Sequence, residues 1–249
     1  MIIGVYGLGR FGSFWASVLA RRHDVLVYNR SPGRPTPEGA QAVSQTELLE
    51  RSETVFLCCA ISALDSVLQE IAPLVRPGQV VADTCSVKVV PARQMQARLP
   101  QARLLATHPM FGPDSARAGL RGLPIVLHNL QKAEEAFQFW KKEFKELELS
   151  VLEMTPDEHD REAAYTQGVT HFIGRVLSDM GLKEHPIATQ GYRKLLEIVA
   201  QTCNDPFQLF LDLQTYNPYT PAMRQNLQRS LDHVLEQLSA SLDSPLDPR

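Results

Sequence analysis

The stretch IIGVYGLGRFG (2–12) constrains the fold more than any other part of the chain. An apolar, β-rich run passes directly into Gly7-Leu8-Gly9-Arg10-Phe11-Gly12, and a helical pattern, GRFGSFWASVLARR, opens inside that motif. The GxGxxG spacing suits a strand–turn–helix unit. Its first glycine permits the tight turn, its second lets backbone approach a pyrophosphate, and its third lets helix and strand pack closely. Free N–H groups at the helix start hold phosphates. The motif is weak in isolation and gains weight from its place between a strand and a helix. Gly7, Leu8, Gly9, Arg10, Phe11 and Gly12 are therefore candidate cofactor contacts. A glycine turn in a related domain that has lost its ligand stays open as the plainer reading.

The same alternation of strand and helix continues along the chain. DVLVYN (24–29), TVFLCCA (54–60), QVVAD (79–83), RLLAT (103–107), PIVLH (124–128) and LSVLEM (149–154) read as strands, most with helical segments between them. Such alternation implies a mainly parallel sheet covered on both faces. After Thr155 the strands stop. TPDE (155–158) has the form of a helix start, with Thr155 as N-cap, Pro156 at the first helical position and Glu158 closing a capping box. One helix is expected from Pro156 to about Met180. The pattern stays helical to roughly Leu238, with breaks near Gly181, His185-Pro186, Asp205-Pro206 and Asn217-Pro218. The expected fold class is α/β: an N-terminal Rossmann-like, doubly wound, mainly parallel sheet with a C-terminal all-helical domain. The expected boundaries are 1–153, 154–240, and a frayed tail at 241–249.

Composition excludes several classes. The 249 residues are 44% hydrophobic and 21% charged with a net charge of −3, so neither nucleic acid nor an anionic membrane is an expected partner. The longest nearly apolar run, TVFLCCAI (54–61), is too short to span a bilayer. MIIGVYG lacks the basic flank and long apolar core of a leader peptide. Cys58, Cys59, Cys85 and Cys203 show no metal-ligand spacing and read as reduced thiols in a cytoplasmic protein with no metal site.

The end of the second strand discriminates between dinucleotides. NAD-binding domains carry an acid there for the ribose hydroxyls. This chain has Tyr28-Asn29-Arg30-Ser31. Arg30 can pair with a 2′-phosphate and Ser31 can donate to it, so NADP is expected over NAD. A solvated loop arginine, with Asn29 on the ribose, is the alternative. Cys59 and Ala60, at the end of TVFLCCA, complete the candidate cofactor contacts.

Ligands of doubly wound sheets sit beyond the C-terminal strand ends. Two such ends carry polar residues: Asp83-Thr84-Cys85-Ser86-Val87-Lys88 and Thr107-His108-Pro109. A histidine placed there suits proton acceptance from an alcohol near neutral pH, and Ser86 suits a hydrogen bond to imidazole or substrate. A strand-capping histidine bonded only to backbone is equally compatible with the spacing. On the first long helix, Asp160, Gln167 and His171 fall in a narrow stripe at 100° per residue. This stripe fits a site wall, or an ordinary polar edge.

The motifs GLGRFG, DTCSVK, THPMFGPDS, EHDREAAYTQGVTHFIGRVL and GYRKLLEIV, spread over nearly the whole chain, resemble the prephenate and arogenate dehydrogenases of tyrosine biosynthesis. The helical motifs are most similar to the plant-type, NADP-dependent arogenate enzymes. The resemblance implies oxidative decarboxylation of a cyclohexadienol, with hydride passing to the nicotinamide. It implies that His108 accepts the ring-hydroxyl proton, that Ser86 bonds both that hydroxyl and the histidine, and that His171 helps close the substrate site. It implies a homodimer through the helical half. Many prephenate-active relatives have an arginine where this chain has Glu197; Arg193, Lys194 and Arg175 are near in sequence. That departure favours an amine-bearing substrate, arogenate, over prephenate. Ser86, Lys88, Gln167, His171, Arg193 and Glu197 are the candidate substrate contacts. A C-terminal regulatory domain of the kind some relatives carry is not expected. Competing readings are a dehydrogenase for an amino analogue of prephenate, a β-hydroxyacid dehydrogenase or imine reductase, and a non-catalytic NADP-sensing module.

Overall fold

A computed structural model describes residues 1–242. It divides into two compact units, Met1–Asp160 and the chain from Arg161 onward. The division falls at Asp160 and not at 153, because the first turns of the helix beginning at Pro156 are bonded into the first unit. Of the tail expected at 241–249, residues 241–242 end a helix and the remainder lies outside the described residues.

The first unit is built on an eight-stranded sheet in the order β3-β2-β1-β4-β5-β6-β7-β8. Its strands are β1 Ile2–Tyr6, β2 Asp24–Tyr28, β3 Ala40–Ala42, β4 Thr54–Leu57, β5 Val80–Asp83, β6 Arg103–Pro109, β7 Pro124–Gln131 and β8 Ser150–Glu153. All pairings are parallel except β6 with β7. The sheet is therefore the mainly parallel, doubly wound one expected, with β7 and β8 running against the rest. The three-residue β3 has too little pattern to be read from sequence. Central strands β4 and β5 are buried at every position, which is why their sequences are continuous apolar runs without alternation.

Helix α1 (Arg10–Leu19) lays Trp15, Ala16, Val18 and Leu19 on the sheet. Trp15 meets Phe56 edge-on and joins Phe144 and Trp140 in an aromatic cluster with α5 (Glu134–Glu146). This unit also holds α2 (Gln45–Arg51), α3 (Leu64–Ile71), preceded by a 3-10 turn at Ile61–Ala63, and α4 (Val89–Arg98).

The chain crosses the division within α6 (Pro156–Ala163). The expected capping box forms at its start: Glu158 N–H donates to Thr155 Oγ1 at 3.3 Å, and Thr155 N–H to Glu158 Oε2 at 2.9 Å. The expected single helix to Met180 is interrupted by a π-helical turn at Ala164–Gly168 before α7 (Val169–Asp179). Helices α8 (Gln190–Cys203), α9 (Phe207–Tyr216) and α10 (Thr220–Leu242) complete the second unit. They are separated at the expected breakers, Gly181, Pro186, Pro206 and Pro218. Gly174 brings α7 onto α8 so closely that a Cβ there would lie 2.1 Å from Thr202 Oγ1. No described helix is long and apolar enough to cross a membrane.

Candidate active site

The glycine loop has the geometry its spacing predicts. Gly7 has φ +104°, and a Cβ on it would lie 2.6 Å from the Cys58 carbonyl oxygen. At Gly12 a Cβ would lie 1.9 Å from the Gly7 oxygen, so α1 can sit this close to β1 only with hydrogen there. Gly9 differs: a Cβ would meet nothing within 4 Å, and the backbone stands open. The first N–H groups of α1 have no acceptor within the helix itself. A cradle with one open glycine, ahead of a helix N-terminus, fits the pyrophosphate of a dinucleotide.

Around this cradle, the expected contacts sort into two groups. Asn29 is already engaged: its Oδ1 accepts Leu8 N–H at 2.8 Å and its Nδ2 donates to Ser31 O at 2.7 Å. It fastens the loop to the end of β2, a supporting task that spacing did not disclose. The Arg10 side chain pairs with Asp114 of the loop that follows β6. Arg30 and Ser31 are exposed. Cys59 and Ala60 follow β4 beside Gly7, and burial pushes the Cys59 thiol up to about 12, so it remains protonated.

His108 lies in β6, one position from its end, and is 2% exposed. The loop that follows it is pinned over α1. Phe111 packs against Phe14 and Trp15, and Asp114 pairs with Arg10 of the glycine loop. The Pro-rich turn thus joins the histidine-bearing strand to the nucleotide cradle. Ser86 sits in the β5–α4 turn at the same sheet edge, half-buried, and its hydroxyl has no hydrogen-bond partner among the described residues.

Two residues that sequence reasoning did not connect to His108 stand behind it. His108 Nδ1 lies 2.7 Å from His159 Nε2, and His159 Nδ1 lies 2.8 Å from Asp160 Oδ1. Asp160 also accepts Lys88 N–H at 2.6 Å and Val89 N–H at 2.8 Å, capping α4. All these side chains are buried: His159 is 2% and Asp160 0% exposed. The capping box at Thr155 fixes the turn that carries them. The only signal in the sequence was the adjacent pair His159-Asp160 just after that box.

Burial, with His159 and Lys88 nearby, holds the His108 imidazole well below its usual range. Burial also lowers His159, against an opposing pull from Asp160. Lys88 is not available as a substrate contact. Its ammonium is buried, paired with Asp83 and donating to Thr107 O at 2.6 Å. The ion pair and the hydrogen bond together tie the end of β5 to the end of β6.

The expected stripe of Asp160, Gln167 and His171 spans the division: Asp160 is bonded to the start of α4 in the first unit, and the π turn interrupts the 100° phase before His171. A different stripe replaces it. Gln167 Oε1, His171 Nδ1 and Arg175 Nε, at successive turns, are all buried and have no hydrogen-bond partner among the described residues. Burial lowers His171, with Asp205 raising and Arg175 lowering it further. Arg175 lies over Phe207 and Phe210 and donates to Thr202 O and Asp205 O. Arg193, Lys194 and Glu197 lie exposed on α8.

A dinucleotide cradle at the first strand–helix turn, with an uncharged imidazole near the end of β6 in the same sheet, defines a nicotinamide-dependent oxidoreductase. Residues 26–152 match the family described as prephenate dehydrogenase, nucleotide-binding domain, and residues 176–248 match one described as TYRAAT1-like, C-terminal domain. The chain belongs to the prephenate/arogenate dehydrogenase family. It is 32% identical over 252 residues to arogenate dehydrogenase 2, chloroplastic, of Arabidopsis thaliana, covering 96% of this chain and 70% of that protein. It is 31% identical to arogenate dehydrogenase 1 of the same plant, of which it spans 40%. Among solved structures, prephenate dehydrogenase from A. aeolicus in complex with hydroxyphenyl propionate and NAD+ shares the fold. The TM-score is 0.77 and identity 16%, with 99% of this chain and 93% of that chain covered.

Proposed function

We propose that the protein is an NADP-dependent arogenate dehydrogenase that forms tyrosine by oxidative decarboxylation. The observation that carries this is His108: a buried, uncharged imidazole at a strand end, its loop pinned to the glycine cradle, with Nδ1 engaged and Nε2 without a hydrogen bond among the described residues. A bound nicotinamide supplies the hydride acceptor. His108 Nε2 takes the proton of the ring hydroxyl, and Ser86 donates to or accepts from that oxygen. Loss of carbon dioxide aromatises the ring and drives the reaction, so the chain's task is alignment and proton acceptance. His171 and Gln167 are the substrate contacts of the helical half, supported by buried atoms that have no partner among the described residues.

NADP is favoured over NAD because no carboxylate follows β2 and the Arg30 guanidinium is free there. Arogenate is favoured over prephenate because Glu197 stands where many prephenate enzymes place an arginine, and because both Arabidopsis relatives are named arogenate dehydrogenases. A homodimer through the second unit is part of this reading, supported by exposed Leu231, Val234, Leu235 and Leu238 on one face of α10. So is a reducing, cytoplasmic location, supported by four free cysteines. Initial rates followed at 340 nm, with arogenate or prephenate paired with NADP or NAD, test the whole. Turnover of arogenate with NADP well above the other three pairs is expected. A preference for prephenate would discard the substrate assignment. Tight NADP binding with no turnover of either would favour a sensing module.

A further inference from the structure

On its inner side His108 is backed by His159 and, beyond it, Asp160. His159 and Asp160, directly behind it, are buried. The hydrogen-bond chain has one consistent reading. A carboxylate only accepts, so His159 Nδ1 donates to Asp160. An uncharged His159 then has a lone pair at Nε2, 2.7 Å from His108 Nδ1, which must carry hydrogen. His108 Nε2 is left as the lone-pair nitrogen, the atom a base needs. The charged groups facing the pair are Lys88 and Asp83, already paired with each other, and Asp160.

The stoichiometry of the proposed reaction, on which this inference rests, asks for a proton to be held and then returned. Hydride leaves the ring carbon for the nicotinamide while the O–H bond breaks and its proton goes to His108 Nε2. The bond to the ring carboxylate then breaks. Its electron pair enters the ring, carbon dioxide departs, and the former hydroxyl oxygen becomes a phenolate. That oxygen takes the proton back to give the phenol. No proton is released overall.

We propose that His159 and Asp160 form a closed proton store for His108. They fix its Nδ1–H tautomer. While Nε2 holds the substrate proton, the Nδ1 hydrogen moves to His159 Nε2, and the positive charge rests on His159 beside the Asp160 carboxylate. Returning the substrate proton to the phenolate reverses both transfers. His159 and Asp160 are positioning residues; neither touches substrate.

The test uses the full chain. Nitrogen-15 NMR of imidazole-labelled wild-type protein at neutral pH reads the tautomer without any turnover. His108 is expected as Nδ1–H with an unprotonated Nε2, and an Nε2–H tautomer overturns the proposal. In steady-state assays His159→Leu is expected to lower kcat about 10³-fold with KM changed less than about threefold. His159→Gln accepts from His108 but cannot take charge. It is expected to keep the tautomer, to recover about tenfold of the lost kcat, and to alter the acid limb of the pH profile. A Leu variant with wild-type kcat and profile overturns the proposal. So does a burst of protons detected by a pH indicator during the first turnover, which would reveal an exit to solvent. Thermal melts show whether each variant folds, and the wild-type spectrum decides the tautomer if neither does. A wild type inert toward both arogenate and prephenate overturns the proposed function and the store with it. The tautomer result still stands separately in that case.

Discussion

Gly9 and Gly12 share one loop, and the structure assigns them opposite consequences when a methyl group is added. In Gly12→Ala the new Cβ would lie 1.9 Å from the Gly7 carbonyl oxygen and 2.9 Å from Cys58 Cβ. Ordinary contact begins at 3.4 Å, so helix or strand must move by about 1.5 Å at this point. The movement is resisted by Trp15 and Ala16 on the same helix, both 0% exposed. Overpacking of this kind costs about 3 kcal/mol. In a chain of this size that lowers the melting temperature by roughly 6–12 °C. Gly9 has φ −68° and open space where the Cβ would be. Gly9→Ala is expected to leave the melting temperature unchanged or slightly raised, through a stiffer unfolded chain worth about 0.4–1 kcal/mol. Its methyl group occupies the path of an incoming pyrophosphate, so NADP affinity is expected to fall at least tenfold, about 1.4 kcal/mol. Thermal melts with and without NADP, plus calorimetric titration, separate the two quantities. A Gly9→Ala protein with wild-type affinity would refute the placement of the pyrophosphate. A Gly12→Ala protein with wild-type melting temperature would refute the close approach of α1 to β1.

Four further outcomes are expected. Asp160→Ala strands the Lys88 and Val89 N–H groups and removes the His159 partner, costing about 2–5 kcal/mol in urea unfolding; a loss under 1 kcal/mol would show that water substitutes for the carboxylate. Lys88→Met leaves Asp83 buried beside an apolar side chain and should cost about 3–5 kcal/mol, against little or nothing if the ammonium were a free substrate contact. Arg30→Ala should weaken NADP at least tenfold while leaving NAD within about twofold; equal effects on both would remove the 2′-phosphate assignment. His108, His159 and His171 all sit below their usual range in the folded protein. The unfolded chain therefore binds protons that the folded chain does not, and stability is lost as pH falls below about 6.5, by up to about 1.4 kcal/mol per pH unit for each ring. Urea midpoints that do not fall between pH 7.5 and 5.5 would contradict that direction.

The fold was legible because its strongest signals are local. Glycines, caps and prolines act within a few residues, so the Gly7–Gly12 turn, the Thr155–Glu158 box and the breaks before α8, α9 and α10 were all open to reading. Buried parallel strands announce themselves as apolar runs. Elements that failed were short or depended on distant partners. β3 has three residues and pairs only because β2 stands beside it. The π turn at Ala164–Gly168 has no sequence signature comparable to a proline, yet it shifts the face of every later side chain on that helix. Spacing counted across it therefore misplaced Asp160 relative to Gln167 and His171.

The site divides along the same line. Spacing identifies groups able to do chemistry, and burial decides what those groups are free to do. Lys88 and His108 are both polar residues placed at or just beyond strand ends in motifs that resemble one family. In the folded chain one is sealed in an ion pair with Asp83, and the other keeps a nitrogen open. The difference comes from Asp83 and Thr107 on one side and His159 on the other, residues 5, 19 and 51 positions away in the chain. No periodicity links those positions. The link is made when the capping box at Thr155 starts α6 in the one register that swings His159 toward β6 and Asp160 toward the start of α4. A chain that kept every motif but lost that register would retain a nucleotide cradle and a histidine, without the partner that fixes which nitrogen of the histidine is basic.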